Sequence, residues 1–293
     1  MKTMKHLLIA LAACLLAVSC IFSYNSNGNV TVLGGCTENG IDYTDIREVA
    51  PFKALIFRIP CNLYYVQADK QEVRVETTED FAGKVLTDVE GGTLDIHLEE
   101  GTYQHLVLRV VVSSPDIESI QVKGSGNMIH EGVLRSSGDL TLRTSGSGDV
   151  RTGDIVCAGF NGKSSGSGSM QLGNITCTAF SSTTSGSGAL QAGSVSGTSS
   201  FTITSSGSGS VRFDSLSTEG DVSAHISGSG RAVFEQVAVG GDMDLGTTGS
   251  GDIKVNGSCR NVSASTSGSG TISGNLSYEK LKQRETGSGR VNL

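Results

Sequence analysis

The sequence predicts an all-β protein whose C-terminal part is a parallel β-solenoid, a rod of about nine stacked turns of roughly 20 residues each. One observation is the triplet Gly-Ser-Gly, which recurs nine times at intervals of 19 to 22 residues. Another is that apolar residues flank the triplets at even offsets, the period of two that is typical of strands. The repeat is also rich in Gly, Ser and Thr and lacks the 3.6-residue period of a helix. The triplets begin at Gly124, Gly146, Gly166, Gly186, Gly207, Gly228, Gly249, Gly268 and Gly287. A flexible Gly/Ser linker, the alternative interpretation, would carry no apolar residues at a fixed phase.

Residues 1–19 have the pattern of a lipoprotein signal peptide. Lys2 and Lys5 precede an apolar stretch, and small residues follow it before Cys20. The run Leu-Ala-Val-Ser-Cys at 16–20 resembles a bacterial lipobox, in which the cysteine is diacylated and becomes the mature N-terminus. A second match ends at Cys14 but leaves an apolar segment of only seven residues, so Cys20 is the predicted lipidation site. An ordinary secretory signal or a short transmembrane anchor stays open, although the apolar stretch is short for a membrane span.

Residues 20–35 are rich in Asn, Gly and Ser and are interpreted as a tether between the lipid and the folded part. Removal of the signal peptide takes away two lysines and no acid, so the net charge goes from −7 to −9. A mildly acidic chain with no basic cluster argues against nucleic acid as a partner. The expected partner is instead a membrane, reached through the lipid anchor, and the expected location is the cell envelope, at the outer membrane or cell surface.

Residues 36–123 lack the triplet but alternate well between apolar and polar residues, and are interpreted as a β-rich cap with the first turns. Such a cap is expected, because an uncovered solenoid end is an adhesive edge. The strand candidates are 52–59, 63–66, 73–76, 85–89, 94–98 and 106–112, followed by apolar residues at 117, 120 and 122.

Residues 124–293 form the predicted solenoid, about 40 Å long if successive turns lie about 4.8 Å apart. Phe160, Phe180 and Phe201 occupy the same even offset and should stack inside. On this phase both glycines of each triplet face inward and the serine faces outward. The run Thr-Gly-Ser-Gly-Asp at 248–252 resembles a calcium-binding nonapeptide repeat, but the period here is about 20 and most copies lack the Asp. No metal and no cofactor is therefore predicted.

Besides Cys20, five cysteines remain after the predicted cleavage: Cys36, Cys61, Cys157, Cys177 and Cys259. Cys157 and Cys177 lie nine residues before consecutive triplets and should be stacked neighbours. The spacing of stacked turns lies within the range that a disulfide tolerates, so a bond and a pair of small thiols at a tight corner are both open.

The last turn is predicted to be protected by charge. Around the last triplet the even positions carry Gln283 and Glu285 where other turns have Ile, Leu, Ala or Thr. The surrounding residues are basic, namely Lys280, Lys282, Arg284 and Arg290.

The layout as a whole resembles the bacterial envelope proteins with the head GIN domain, described as auto-transporter adhesins and typical of Bacteroidetes. The resemblance rests on the lipoprotein signal, the segments 62–68 and 92–98, and Ser-Pro-Asp-Ile-Glu-Ser-Ile at 114–120 leading into a Gly-Ser-Gly array. It covers about residues 44–293. It implies a β-solenoid at the cell envelope and carries over no catalytic residue.

One outward column differs from the Ser and Thr of the rest. Five residues after the triplets stand Arg151, Gln171, Gln191, Arg212, Val233 and Lys254. Stacking would align them into a polar strip that could bind an extended acidic glycan, a polysaccharide or a host or cell-surface glycan, through charge-assisted hydrogen bonds. The alternative is a solvated face whose charges discourage sideways pairing. Arg143 and Lys163 also project outward on the early turns.

The preferred function is a non-enzymatic envelope lipoprotein, an adhesin or glycan-binding rod. The alternative is a polysaccharide lyase or hydrolase on a β-helix, which needs clustered acids or bases on one face. Asp149 and Asp154 near Arg151 are the best such cluster, and it is thin. A filament-forming scaffold is the third class. Turn length favours a non-enzyme, since the turns vary by only three residues and leave no long loops to form a cleft.

Overall fold

The structure is a computed structural model that describes residues 21–25 and 29–293. Within these residues the chain forms strands and one 3-10 turn, Ala82–Lys84. The strands of the C-terminal part are parallel and stack into a solenoid of about eight turns, close to the nine that the triplets predict, which confirms the fold class. The predicted signal peptide and Cys20 lie outside the described residues.

Ten strands precede the first triplet strand. They are β1 Ile21–Asn25, β2 Asn29–Thr37, β3 Tyr43–Arg47, β4 Ala54–Phe57, β5 Asn62–Gln67, β6 Glu72–Thr77, β7 Val85–Glu90, β8 Thr93–Leu98, β9 Gly101–Val107 and β10 Arg109–Ser114. Strand β2 lies between β1, to which it is antiparallel, and β9, to which it is parallel. Strands β4 and β5 already pair in parallel with the first triplet turn, so the solenoid begins before the first triplet.

The N-terminal strands differ from the sequence-based expectation in two respects. Residues 21–25 and 29–35 of the expected tether, where the sequence predicted no strand, form β1 and most of β2. The predicted strand 106–112 is in fact two strands, β9 and β10, which pair with different neighbours. The other strand candidates of this region are confirmed to within a few residues.

The triplet region continues the strand order to the C-terminus. Its strands are β11 Ser119–Gly124, β12 Asn127–His130, β13 Leu134–Arg135, β14 Leu140–Gly146, β15 Val150–Thr152, β16 Ile155–Val156, β17 Gly159–Gly166, β18 Met170–Leu172, β19 Ile175–Thr176, β20 Ala179–Gly186, β21 Ala189–Gly207, β22 Ser210–Gly228, β23 Arg231–Val239, β24 Met243–Gly249, β25 Asp252–Ser258, β26 Asn261–Gly268, β27 Thr271–Ser277, β28 Lys280–Gly287 and β29 Arg290–Asn292. Strands that end at a triplet stack on one another and form the pre-triplet sheet. Strands that start after a triplet form the post-triplet sheet.

The aromatic residues form the predicted ladder inside the solenoid. The rings of Phe160 and Phe180 stack with centroids 5.2 Å apart, and those of Phe180 and Phe201 with centroids 4.6 Å apart. Phe213 and Phe234 form a second stack from the opposite sheet, 5.6 Å apart. Phe213 meets Phe180 edge-on at 5.4 Å, so the two ladders interlock into one core, in the arrangement that ring quadrupoles favour.

The two glycines of each triplet play different parts, which corrects the expectation that both face inward. The glycine at the third position of the triplet is buried, as at Gly168, where an added Cβ would lie 2.1 Å from the carbonyl oxygen of Gly148. The first is exposed in most turns and adopts positive φ, for example +115° at Gly166. The N–H groups of Ser167 and Gly168 both donate to the carbonyl of Gly146, 2.8 and 3.0 Å away. The triplet is therefore a backbone corner, which only residues without a Cβ fit.

The five cysteines that the structure describes form one disulfide and leave three free thiols. Cys36 and Cys61 form a disulfide that fixes β2 beside the start of β5. Cys157 and Cys177, in neighbouring turns, are free and buried. Of the two alternatives left open by the sequence, they are therefore a pair of small thiols and not a disulfide. Their mutual hydrogen bond, together with burial, raises the pKa of the Cys157 thiol. Burial likewise raises the pKa of Cys259 to about 11.

Candidate functional site: an outward strip on the post-triplet sheet

The column predicted from the sequence is continuous in the structure, and we call it the outer strip. Its members stand directly opposite one another on successive strands of the post-triplet sheet. They are Arg151, Gln171, Gln191, Arg212, Val233 and Lys254. Because parallel strands in register lie about 4.8 Å apart, the six side chains form a row about 24 Å long.

The outer strip faces solvent. Arg151, Gln171, Gln191 and Lys254 are exposed, while Arg212 and Val233 are half-buried. The row continues toward the N-terminus through Ile129 and Tyr64, and toward the C-terminus through Ser273. The outer strip is therefore polar except at Val233, and the apolar Ile129 and the aromatic Tyr64 lie beyond its N-terminal end.

Acidic neighbours reduce the positive charge of the strip at one point. The guanidinium of Arg212 lies 2.5 Å from a carboxylate oxygen of Glu235 and 3.6 Å from one of Asp214. These partners lie two positions further along the strands, and they hold the Arg212 side chain across the sheet surface. Arg151 and Lys254 have no ion-pair partner among the residues that the structure describes. The two ends of the strip therefore carry its uncompensated charges.

Two surface hollows lie along the outer strip. One has a volume of about 360 Å³ and is lined by Gln171, Gln191, Gly193 and Asp214, among others. The second has a volume of about 530 Å³ and is lined by Arg212, Val233, Lys254 and Ser273, with Arg231 and Asp252 on its far side. The strip is thus a row of shallow depressions with hydrogen-bonding groups at their margins.

Asp149 and Asp154, the acids considered for the enzymatic alternative, accept hydrogen bonds from the backbone. Asp149 accepts the N–H of Ser169 at 2.9 Å, and Asp154 accepts the N–H of Asn174 at 2.8 Å. In both cases the donor belongs to the next turn, so each carboxylate ties two turns together. Asp252 and Asn256 repeat the arrangement further along the rod. These contacts give Asp149 and Asp154 a structural role beside Arg151.

A second basic surface lies on the pre-triplet sheet, and we call it the basic patch. Arg143 and Lys163 are exposed and stand opposite each other in register, as the sequence suggested. Lys123 lies one strand earlier and was not recognised from the sequence. Burial lowers the pKa of its ammonium group, and the nearby guanidinium groups of Arg58 and Arg143 lower it further. The patch is compact, whereas the outer strip is long.

The described residues, 21–25 and 29–293, contain neither a membrane-spanning helix nor a metal-ligand cluster. In that part of the chain no helix has the length and apolar character needed to span a bilayer. The same part contains no group of three or more His, Cys, Asp or Glu side chains placed to hold a metal ion.

Comparison with known proteins identifies relatives of the whole fold. The family model described as "Putative auto-transporter adhesin, head GIN domain" matches residues 51–235 and 203–293. No curated protein sequence matches the chain significantly. A crystal structure of a "putative lipid binding protein" from Parabacteroides distasonis superposes with a TM-score of 0.62 at 21% identity, covering 89% of this chain and 98% of the other.

Two further crystal structures have the same fold. A "putative adhesin" from Parabacteroides merdae superposes with a TM-score of 0.60 at 17% identity, covering 89% of this chain and 98% of the other. A "putative adhesin" from Parabacteroides distasonis gives a TM-score of 0.59 at 17% identity, covering 88% of this chain and 99% of the other. At these identities the likeness concerns the fold, since one scaffold can carry different sites.

Proposed function

The chain belongs to the family described as "Putative auto-transporter adhesin, head GIN domain", and from that premise we propose that it is a lipid-anchored, non-enzymatic adhesin that holds an extended acidic glycan along the outer strip. Membership of an adhesin family is typical of a protein of the cell surface or envelope. The glycan, the anchor at Cys20 and the outer membrane are the parts that we propose.

The observation that carries the glycan proposal is the unbroken register of the outer strip from Arg151 to Lys254. Amide and guanidinium groups donate hydrogen bonds to carboxylate and hydroxyl oxygens, and the charged ones form the stronger bonds. A linear polymer laid along the row would collect several weak contacts, each of which raises the effective concentration of the next.

Two further observations support the proposal: the first argues against the lyase or hydrolase alternative, and the second supports export. Asp149 and Asp154, the acids nearest Arg151, each accept a backbone N–H of the next turn. A general acid or base must instead reach its substrate. The Cys36–Cys61 disulfide supports export, because such bonds persist in oxidising compartments outside the cytoplasm.

The proposal is tested by binding of the full chain to immobilised polysaccharides. Polygalacturonate, a linear acidic polymer, is compared with dextran, which is neutral. We expect retention on polygalacturonate that falls as salt rises from about 0.05 to 0.5 M, because exposed charges are screened over about 10 Å at 0.1 M. Equal retention on both polymers, or retention that does not respond to salt, would contradict a charge-assisted site.

A further inference from the structure

The pre-triplet sheet ends in an unpaired strand at each end of the rod. Pairing runs without a break from β7 through β8, β4 and β11 to β14, and on to β28. Among the described residues β7 pairs only with β8, and β28 pairs only with β26. One continuous sheet therefore has its N-terminal edge at β7 and its C-terminal edge at β28.

The two edges carry opposite charges on their solvent faces. Asp88 and Glu90 of β7 are exposed, and their neighbour Val89 stands opposite the buried Leu94. Strand β28 is exposed along its whole length and carries Lys280, Lys282 and Arg284 on its outward positions. None of these three bases has an ion-pair partner within residues 21–25 and 29–293.

This distribution of charge distinguishes the ways in which two copies could meet. Two β28 edges would bring three bases against three bases, and two β7 edges would bring acids against acids. Like charges directly opposite each other on neighbouring strands are destabilising, and opposite charges are stabilising. Charged edge strands often serve to prevent pairing altogether. Here they disfavour both like-with-like arrangements and favour the head-to-tail one.

The free backbone groups of the two edges also match. The carbonyl of Lys84 accepts the N–H of Glu99, directly after β8, so in the alternating antiparallel pattern Val85, Thr87 and Val89 direct their backbone groups away from β8. The guanidinium of Arg47 donates to the carbonyl of Val85 and to the hydroxyl of Thr87, so the free backbone groups of this edge are those of Thr87 and Val89. In the pre-triplet strands the residues of the inner face bond to the following turn, as Val222 does to Asp242 at 2.9 Å. For β28 there is no following turn, so Leu281 and Gln283 hold the corresponding free groups.

One antiparallel register satisfies backbone and side chains together. It places Leu281 opposite Val89 and Gln283 opposite Thr87, with free N–H and C=O groups on both sides. The same register places Lys280 opposite Glu90 and Lys282 opposite Asp88 on the outer face. It also covers Leu281, which is 36% exposed at the bare end of the rod.

We propose that the chain associates head to tail with a second copy of itself, strand β28 of one copy extending the pre-triplet sheet of the next at strand β7. Such a contact joins two different surfaces, so it repeats into an open chain of rods unless the rotation between copies closes a ring. The outer strips of successive copies would then follow one another, and a bound polymer could span more than one rod.

A zero-length cross-linking experiment tests the contact in the wild-type full chain. A water-soluble carbodiimide joins a carboxylate to a lysine amine only when the two are in direct contact. The expected product is a ladder of covalent oligomers with amide links between residues 88–90 and residues 280–282, identified by peptide mass spectrometry. The edges β7 and β28 of one rod lie about 50 Å apart, because eleven steps of about 4.8 Å separate them, so such a link must join two copies. Monomer only, or links that never join these segments, would overturn the proposal.

A charge exchange provides the matched control. Lys280→Glu with Lys282→Glu makes both ends acidic, and Asp88→Lys with Glu90→Lys makes both ends basic. By light scattering at low salt, each variant alone should associate at least about tenfold more weakly than wild type, because like charges now face each other. An equimolar mixture should regain association, because it restores opposite charges at the contact. The head-to-tail contact would be contradicted if each variant by itself associated as strongly as wild type, or if the equimolar mixture stayed monomeric. Circular dichroism of each variant verifies that the solenoid is intact.

Discussion

Cys36 and Cys61 are joined by a disulfide with their Cα atoms 5.4 Å apart, across 25 residues of sequence. The bond links β2, which lies beside β9, to the residue that precedes β5. It thus fastens the three-stranded sheet β1-β2-β9 to the first turn of the solenoid. The N-terminal strands are held covalently at the point where the stacked repeat begins.

Loss of this bond should destabilise the chain without changing its fold. Closure of a loop of this length restricts the unfolded chain, and Cys36→Ser with Cys61→Ser should lower the free energy of unfolding by about 3 kcal/mol. Urea denaturation under non-reducing conditions measures the difference. Addition of a reductant to wild type should reproduce it. Equal free energies of unfolding for the double variant and wild type would show that the disulfide does not stabilise the N-terminal strands.

Phe180 is the central member of the aromatic ladder. Phe180→Ala should lower the free energy of unfolding by about 3–5 kcal/mol, because it leaves a cavity between Phe160, Phe201 and Phe213. The control is Thr183→Ala on the same strand, whose side chain is exposed and which should change stability by less than about 0.5 kcal/mol. A loss below about 1 kcal/mol at Phe180 would contradict its inward position.

The regular period made most of the fold predictable. Offsets from the triplet identified which residues face inward, from Leu140 to Val262, because side-chain alternation depends only on local strand geometry. The disulfide was not predictable in this way, since nothing in the spacing of Cys36 and Cys61 reveals that β2 packs beside β5. The orientation of the first glycine was also missed. It takes positive φ at the corner, which interrupts the period of two that the prediction assumed.

The candidate site was predictable in position but not in charge. The register of the outer strip follows from the repeat, so Arg151 and Lys254 stand where the sequence placed them. The pairing of Arg212 with Glu235 depends on side-chain conformation across neighbouring strands, and sequence offsets carry no information on that. Lys123 was overlooked because the basic side chains near it, Arg58 and Arg143, come from other turns.

The backbone corner at each triplet should not tolerate a side chain at its buried glycine. Gly168→Ala should be strongly destabilising, because the new Cβ would lie 2.1 Å from the carbonyl of Gly148, and a backbone atom cannot yield as a flexible side chain can. We expect a loss of more than about 2 kcal/mol. Gly138→Ala is the matched control, since an added Cβ there meets nothing within 4 Å. Equal melting temperatures for the two variants would show that the corner does not need its glycines.

Lipidation at Cys20 stays a prediction of the sequence. Cys20→Ser should abolish incorporation of a fatty-acid analogue and stop removal of the signal peptide in the native host. Cys14→Ser is the control and should leave labelling unchanged. Labelling that persists in Cys20→Ser but disappears in Cys14→Ser would move the anchor to the earlier cysteine.

The outer strip is the binding surface in the proposed function, and one affinity measurement tests this assignment directly. The triple variant Arg151→Ala, Arg212→Ala, Lys254→Ala is compared with wild type for binding to polygalacturonate at low salt. The control is the double variant Arg143→Ala, Lys163→Ala, which removes exposed bases from the basic patch on the other sheet. None of these five side chains is buried in the core, so both variants should unfold at the same denaturant concentration as wild type. We expect Kd to rise about tenfold or more for the triple variant and to change less than about twofold for the control. A triple variant that binds as tightly as wild type, or a control that loses as much affinity, would contradict the outer strip as the binding surface.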